Sequence, residues 1–141
     1  VLGGSLAGCE TADFLAHPFN DRCMYGKKVT LIEMMPEILM EDRTPNRTLL
    51  VRRLQDKGVR ILTGARVEEV LSDGVTYTQI GGSVSMHGFD TIVAALGTRP
   101  ENSLCAELEK LDIPVHVIGD ANQAGKIIDA TAEGAAVALK L

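Results

Sequence analysis

A glycine turn stands at the head of this chain. Gly3-x-Ser5-x-x-Gly8 matches the fingerprint G-x-G-x-x-G at every glycine but the second. The first glycine makes the tight turn from strand to helix, the second lets the backbone approach a pyrophosphate, and the third lets helix and strand pack closely. Ser5 takes the second place; its side chain is small, and its hydroxyl can donate to a phosphate. A helix that opens here adds unpaired N–H groups and a positive dipole end, so Gly3, Gly4, Ser5, Leu6, Ala7 and Gly8 form a candidate pyrophosphate turn. Glu33 ends the next apolar stretch, 25 residues after Gly8. An acid there accepts hydrogen bonds from the ribose hydroxyls of adenosine and repels a 2′-phosphate, which favours NAD over NADP. The competing reading is a structural glycine turn with a solvated Glu33.

Other reactive side chains are scattered. Seven of the 14 bases lie between Arg43 and Arg66. They form either a phosphate patch that admits NADP or, as Arg52, Arg53 and Lys57 suggest, the solvated face of a helix; the second reading is preferred. Cys9, Cys23 and Cys105 are odd in number and contain no C-x-x-C, so no zinc or dithiol motif arises within the chain, and a reduced, cytoplasmic setting is expected. His17, His87 and His116 have no carboxylate or cysteine at ligand spacing and read as solvated or structural. No nucleophile–base pair and no catalytic residue stands out.

These residues need elements to hold them. The chain has 141 residues, 45% hydrophobic and 23% charged, which suits a globular fold with a core of its own. Net charge is −5, from 19 acids and 14 bases, so nucleic acid and an anionic membrane surface are not expected as partners. No apolar run approaches the roughly 20 residues that span a bilayer. Val1-Leu2 leads into the glycine turn, and a helix runs over residues 6–16 on Leu6, Cys9, Ala12, Leu15 and Ala16, ending before Pro18. Residues 19–26 form a polar connection, 28–33 a buried strand, and 34–43 a loop. Thr44 and Pro45 cap a helix with Leu49, Leu50 and Leu54 as its core face, and Gly58 stops it. Residues 59–63 form another strand, which completes a β-α-β-α-β order with a parallel sheet. Residues 65–71, 75–80 and 83–87 then read as an antiparallel meander, separated by Ser72-Asp73-Gly74 and Gly81-Gly82. Strands at 90–96 and 115–118, a short helix at 103–111 and a final helix over 127–141 complete the pattern.

The ordered segments VLGGSLAGCETADFL, KKVTLIEMMPEI, DTIVAALGTRPEN and VHVIGDA resemble the NAD(P)-binding half of the NADH:flavin oxidoreductase and 2,4-dienoyl-CoA reductase family, old-yellow-enzyme-like members of the pyridine nucleotide-disulfide oxidoreductase superfamily. The resemblance spans nearly the whole chain. It implies an α/β fold in three layers of the FAD/NAD(P)-binding kind, a Rossmann-like parallel sheet with an antiparallel β-meander. Residues 1–100 would be the NAD(P)-binding domain and 101–141 a C-terminal piece of the flavin-binding domain. It places Glu10 near the nicotinamide carboxamide, although a plain helix-face carboxylate is an equal reading. It sets Ala95, Leu96 and Gly97 at the nicotinamide side and Gly119-Asp120 on the ribityl or pyrophosphate part of a flavin nucleotide. The parent enzyme would pass hydride from NADH through FAD or FMN to an enoate, enoyl-CoA or flavin acceptor. An iron–sulfur cluster would belong to the parent alone. The alternatives are an isolated nucleotide-binding module with no turnover, or a piece of another relative such as an NADH oxidase. Only two residues precede the turn, so the chain looks like part of something larger. The apolar residues of 115–141 are then expected to pack against 1–100 or a second copy, a homodimer of the fragment.

Overall fold

The computed structural model describes residues 1–17 and 26–141. Pro18, expected to stop the first helix, Cys23 and all of the expected 19–26 connection except Gly26 lie outside them. The chain folds as two compact units, Val1–Gly97 and Thr98–Leu141.

In the first unit, α1 (Leu6–Ala16), β1 (Thr30–Ile32), α2 (Asn46–Asp56) and β2 (Arg60–Leu62) alternate, and β1 pairs with β2 in parallel. Leu2 bridges to Ile32 on one side and Ala94 on the other, both in parallel. The lateral order is therefore β2, β1, the segment at Leu2, then the segment at Ala94. Period-two alternation sends neighbouring side chains to opposite faces. Leu31, with no exposed surface, joins Cys9, Ala12, Leu50 and Leu54 under the two helices. Ile32 turns the other way and joins Leu2, Ala65, Val75 and Tyr77. That second face is covered by β3 (Arg66–Val70), β4 (Gly74–Gln79) and β5 (Gly82–His87), an antiparallel meander. The three layers are thus helices, parallel sheet and meander. A bulge between Val67 and Glu69 interrupts the β3–β4 register.

α2 ends where Gly58 takes φ +71°. Its N–H bonds to Gln55 O and the Val59 N–H bonds to Leu54 O, at 2.9 Å each, which satisfies the last carbonyls of the helix. Its start lies one residue later than Thr44-Pro45 implied. The Thr44 N–H goes to Asp42 Oδ1 at 2.8 Å, and Pro45 already holds helical angles as the cap. Leu50 and Leu54 are buried but Leu49 is 60% exposed, because it sits about 100° around the helix from Leu50. Leu6 is likewise outside the core.

The basic run is in part a solvated face, with the Arg52 side chain 80% exposed, and in part paired. Asp13 of α1 receives Arg53 at 2.9 Å and Lys57 at 2.8 Å from α2. Burial alone would raise the Asp13 carboxyl, but the Lys57 hydrogen bond and the charges of Lys57 and Arg53 hold it below its ordinary value. Arg47 pairs with Glu37 and also reaches the Ile38 carbonyl at 3.2 Å. His87 is not isolated either, because the hairpin brings it 3.0 Å from Asp73.

Two expected strands are not strands. Residues 90–96 make one rung, through Leu2 N–H to Val93 O and Ala95 N–H to Leu2 O at 2.8 Å each. A single rung is a bridge and not a ladder of successive rungs. Residues 115–118 have no strand partner among the described residues, and apolar character alone does not make a strand. The second unit consists of α3 (Ser103–Leu108), 3₁₀ turns at Glu109–Leu111 and Gly119–Ala121, and α4 (Ile127–Ala138). α4 has no buried residue, with Ile127 86% exposed. Among the described residues no helix is long and apolar enough to cross a membrane.

Candidate functional site

The glycine turn is tight because three glycines each face a neighbour that a side chain would strike. Gly3 adopts φ +102°, and a Cβ there would collide with the Ala95 carbonyl. A Cβ on Gly8 would collide with the Gly3 carbonyl and lie 3.3 Å from Ala95 Cβ. On Gly4 it would meet Ile38 Cγ2 at 2.7 Å and Glu33 Cβ at 3.0 Å. The fingerprint therefore has its close packing at Gly3 and Gly8, as its spacing implies, and a further demand at Gly4, behind the turn.

Ser5 caps α1 in extended conformation without a side-chain cap bond, and it is exposed. The first helical bond runs from Cys9 N–H to Ser5 O at 2.9 Å. The N–H groups of Leu6, Ala7 and Gly8 precede it and have no intrahelical acceptor. Ser5, Leu6 and Ala7 are exposed, and no acid occupies the first turn, so the open N–H groups at the positive end of α1 face outward. This is the geometry a pyrophosphate fits: open donors on one side, close-packed glycines on the other.

Glu33 sits at the end of β1 beside the turn. Its Oε2 accepts the Gly4 N–H at 2.5 Å, and its Oε1 accepts the Met35 N–H at 2.8 Å. A carboxylate has about four acceptor positions, so two remain for ribose hydroxyls. The sequence pattern did not show the supports behind it. Gly4 O accepts the Leu39 N–H at 2.8 Å and the Cys9 thiol at 3.4 Å. Leu39 does this in a left-handed conformation, φ 55°, while 2% exposed. A leucine carries no sequence signal for that conformation. Burial pushes the Cys9 thiol up to about 11, with Glu33 and Glu10 adding to the rise.

Ala95, Leu96 and Gly97 end the extended segment against the same turn. Ala95 backs Gly3, Leu96 is 71% exposed, and Gly97 takes φ +86°. Glu10 is exposed on α1. Gly119 and Asp120 belong to the second unit. Gly119 is buried at φ +62°, where a Cβ would lie 3.2 Å from Ala130 Cβ. Asp120 Oδ1 accepts the Gly125 N–H at 3.2 Å. Asp120, Gly125, Lys126, Ile127, Ala130 and Thr131 line a groove of about 320 Å³ at the start of α4.

The chain matches the pyridine nucleotide-disulphide oxidoreductase family over residues 1–127. It is 37% identical over 142 residues to an NADH oxidase of Thermoanaerobacter brockii, covering 100% of this chain and 21% of that protein. It is 32% identical over 133 residues to a bilirubin reductase of Mediterraneibacter gnavus (strain CC55_001C), covering 94% of this chain and 20% of the relative. Among solved structures, a 2-naphthoyl-CoA reductase in complex with 2-naphthoyl-CoA superimposes with a TM-score of 0.75 at 25% identity, over 99% of this chain and 20% of its own. The chain thus spans about a fifth of the length of the curated relatives it matches. The glycine turn, the acid closing β1 and a match over nine-tenths of the sequence agree: this chain belongs to the pyridine nucleotide-disulphide oxidoreductase family.

Proposed function

We propose that this chain is the NADH platform of a flavin-dependent oxidoreductase of the old-yellow-enzyme-like, 2,4-dienoyl-CoA reductase kind. Residues 1–100 act as its NAD(P)-binding domain and 101–141 as part of its flavin-binding domain. The observation that carries the reading is the Glu33 carboxylate on the Gly4 N–H, directly behind the open start of α1. The α1 start and Ser5 hold the pyrophosphate, Glu33 holds the adenosine ribose, and residues 95–97 flank the nicotinamide, with Glu10 near its carboxamide. Gly119-Asp120 contacts the second nucleotide, FAD. The nicotinamide and flavin supply the hydride chemistry when bound. This chain's residues bind, orient and select. An enoate or enoyl-CoA acceptor is supported by the likeness to a reductase in complex with 2-naphthoyl-CoA, an aromatic acyl thioester. A second reading, with dioxygen as acceptor, is favoured by the 37% identical NADH oxidase.

Calorimetry of the chain with NADH tests the platform: saturable binding that Gly8→Ala weakens is expected, and no binding to the chain or to an enzyme carrying it refutes the reading. Without its other parts the chain is expected to be colourless and to turn nothing over. In an enzyme carrying this chain, anaerobic NADH oxidation on addition of an enoyl-CoA separates the two acceptors.

A further inference from the structure

The Gly119–Ala121 turn is held by one carboxylate from α4. The Gly119 N–H donates to Glu133 Oε2 at 2.7 Å, and Asn122 Nδ2 donates to Glu133 Oε1 at 3.3 Å. On the next peptide unit, Gly119 O accepts the N–H groups of Asn122 and Gln123 at 2.9 Å each. Glu133 therefore holds the first residue of the turn through one oxygen and the side chain of Asn122, the residue that follows it, through the other, while Ala130 closes the space against Gly119. Glu133 is the seventh residue of α4, inside the helix and not at its frayed end. Hydrogen bonds to an ionised acceptor are the stronger kind, and this one fixes a glycine that would otherwise have the widest conformational choice. What the turn carries outward is Asp120, whose side chain lines the groove and takes the Gly125 N–H.

We propose that Glu133 is a positioning residue: it fixes the Gly119 peptide and, through it, sets the Asp120 carboxylate toward its ligand. The role rests on the reading of Gly119-Asp120 as a flavin contact. The arrangement parallels the first unit, where Glu33 grips the Gly4 N–H behind the other glycine turn. In both places a carboxylate occupies the backbone donor that faces away from the ligand and leaves the turn rigid.

Amide hydrogen exchange on the full chain tests the clamp without any flavin. In the unsubstituted chain the Gly119 N–H should exchange at least about tenfold slower than an unbonded glycine amide, as expected for a charge-assisted bond. Glu133→Ala should remove that protection and speed Gly125 as well, leaving amides such as Ala135 in α4 unchanged. Glu133→Gln keeps an oxygen for Gly119 and should stay within about threefold of the parent. An unprotected Gly119 in the unsubstituted chain overturns the clamp even if Glu133→Ala fails to fold. In a flavin-loaded enzyme carrying this chain, Glu133→Ala should weaken flavin binding about tenfold and Glu133→Gln should restore it. A protected Gly119 with unchanged flavin affinity in Glu133→Ala overturns the positioning role. If Asp120→Ala also leaves flavin affinity unchanged, the flavin reading of this turn fails on its own account.

Discussion

Glu33 does two jobs that one substitution can separate. Its carboxylate satisfies the N–H of Gly4, which is buried, and that of Met35, which is exposed. Glu33→Ala orphans both, but water can reach Met35 and not Gly4. The stability loss should therefore be that of one buried donor, about 1–3 kcal/mol. Glu33→Gln keeps an oxygen for Gly4, so its loss should be well under half of that. The second job is selection against a 2′-phosphate. Two like charges about 5 Å apart at an effective dielectric near 20 repel by about 3 kcal/mol per charge pair. Glu33 is only half-buried, so solvent screening reduces this to about 1–3 kcal/mol, or roughly 5- to 150-fold in affinity. NADH should outbind NADPH by that factor in the unsubstituted chain. Glu33→Gln should reduce the ratio to within about threefold of unity while keeping most of the stability. Titration calorimetry with both nucleotides and thermal denaturation of all three forms give the two readouts. Equal affinities in the unsubstituted chain, or an unchanged ratio in Glu33→Gln, would refute the electrostatic argument.

Gly8→Ala should cost about 1–3 kcal/mol by forcing a methyl against the Gly3 carbonyl and should weaken NADH at least about tenfold. Gly58→Ala, at φ +71° with open space around it, should cost about 1 kcal/mol and leave NADH affinity unchanged; calorimetry and melting curves compare the pair. The Asp13 carboxyl is lowered on folding, so its contribution is present above its unfolded value and is lost as pH falls through the folded one. Asp13→Asn should lower stability near neutrality by about 1–2 kcal/mol and flatten the loss seen below about pH 4 in melts of the unsubstituted chain. The Cys9 thiol is raised on folding, so its contribution is full below the ordinary value of 9.0 and fades as pH climbs to about 11. Native alkylation at pH 8 followed by peptide mapping should label the half-buried Cys105 well before the fully buried Cys9.

Local structure is legible in the sequence where a short-range physical demand dictates the residue. Gly58 closes α2 because only a left-handed residue satisfies those carbonyls, and Gly3 and Gly8 meet because strand and helix backbones must nearly touch. The meander followed from its turn residues. Pairing partners were not legible. Residues 90–96 and 115–118 have the composition of strands, yet a strand is a relation between two segments, and among the described residues they make one rung and none. Nor was the fate of the basic run legible, because Arg53 and Lys57 meet Asp13 some 40 residues away through helix packing. The left-handed Leu39 is the extreme case, a buried apolar residue in a glycine-like angle with its N–H on Gly4 O.

That last residue bears on how the site is tuned. Gly4 is gripped at its N–H by Glu33 and at its carbonyl by Leu39 and Cys9, so the turn's geometry and the acid's position are set by the same bonds. Removing the acid to admit a 2′-phosphate also loosens the turn that holds the pyrophosphate. A change of cofactor preference on this scaffold therefore needs a replacement that still accepts from Gly4, together with a new cation nearby. Glu33→Gln with a lysine at Met34, which is 63% exposed, satisfies both conditions. Glu33→Ala with the same lysine satisfies only the second, and it should bind both nucleotides more weakly than the glutamine form.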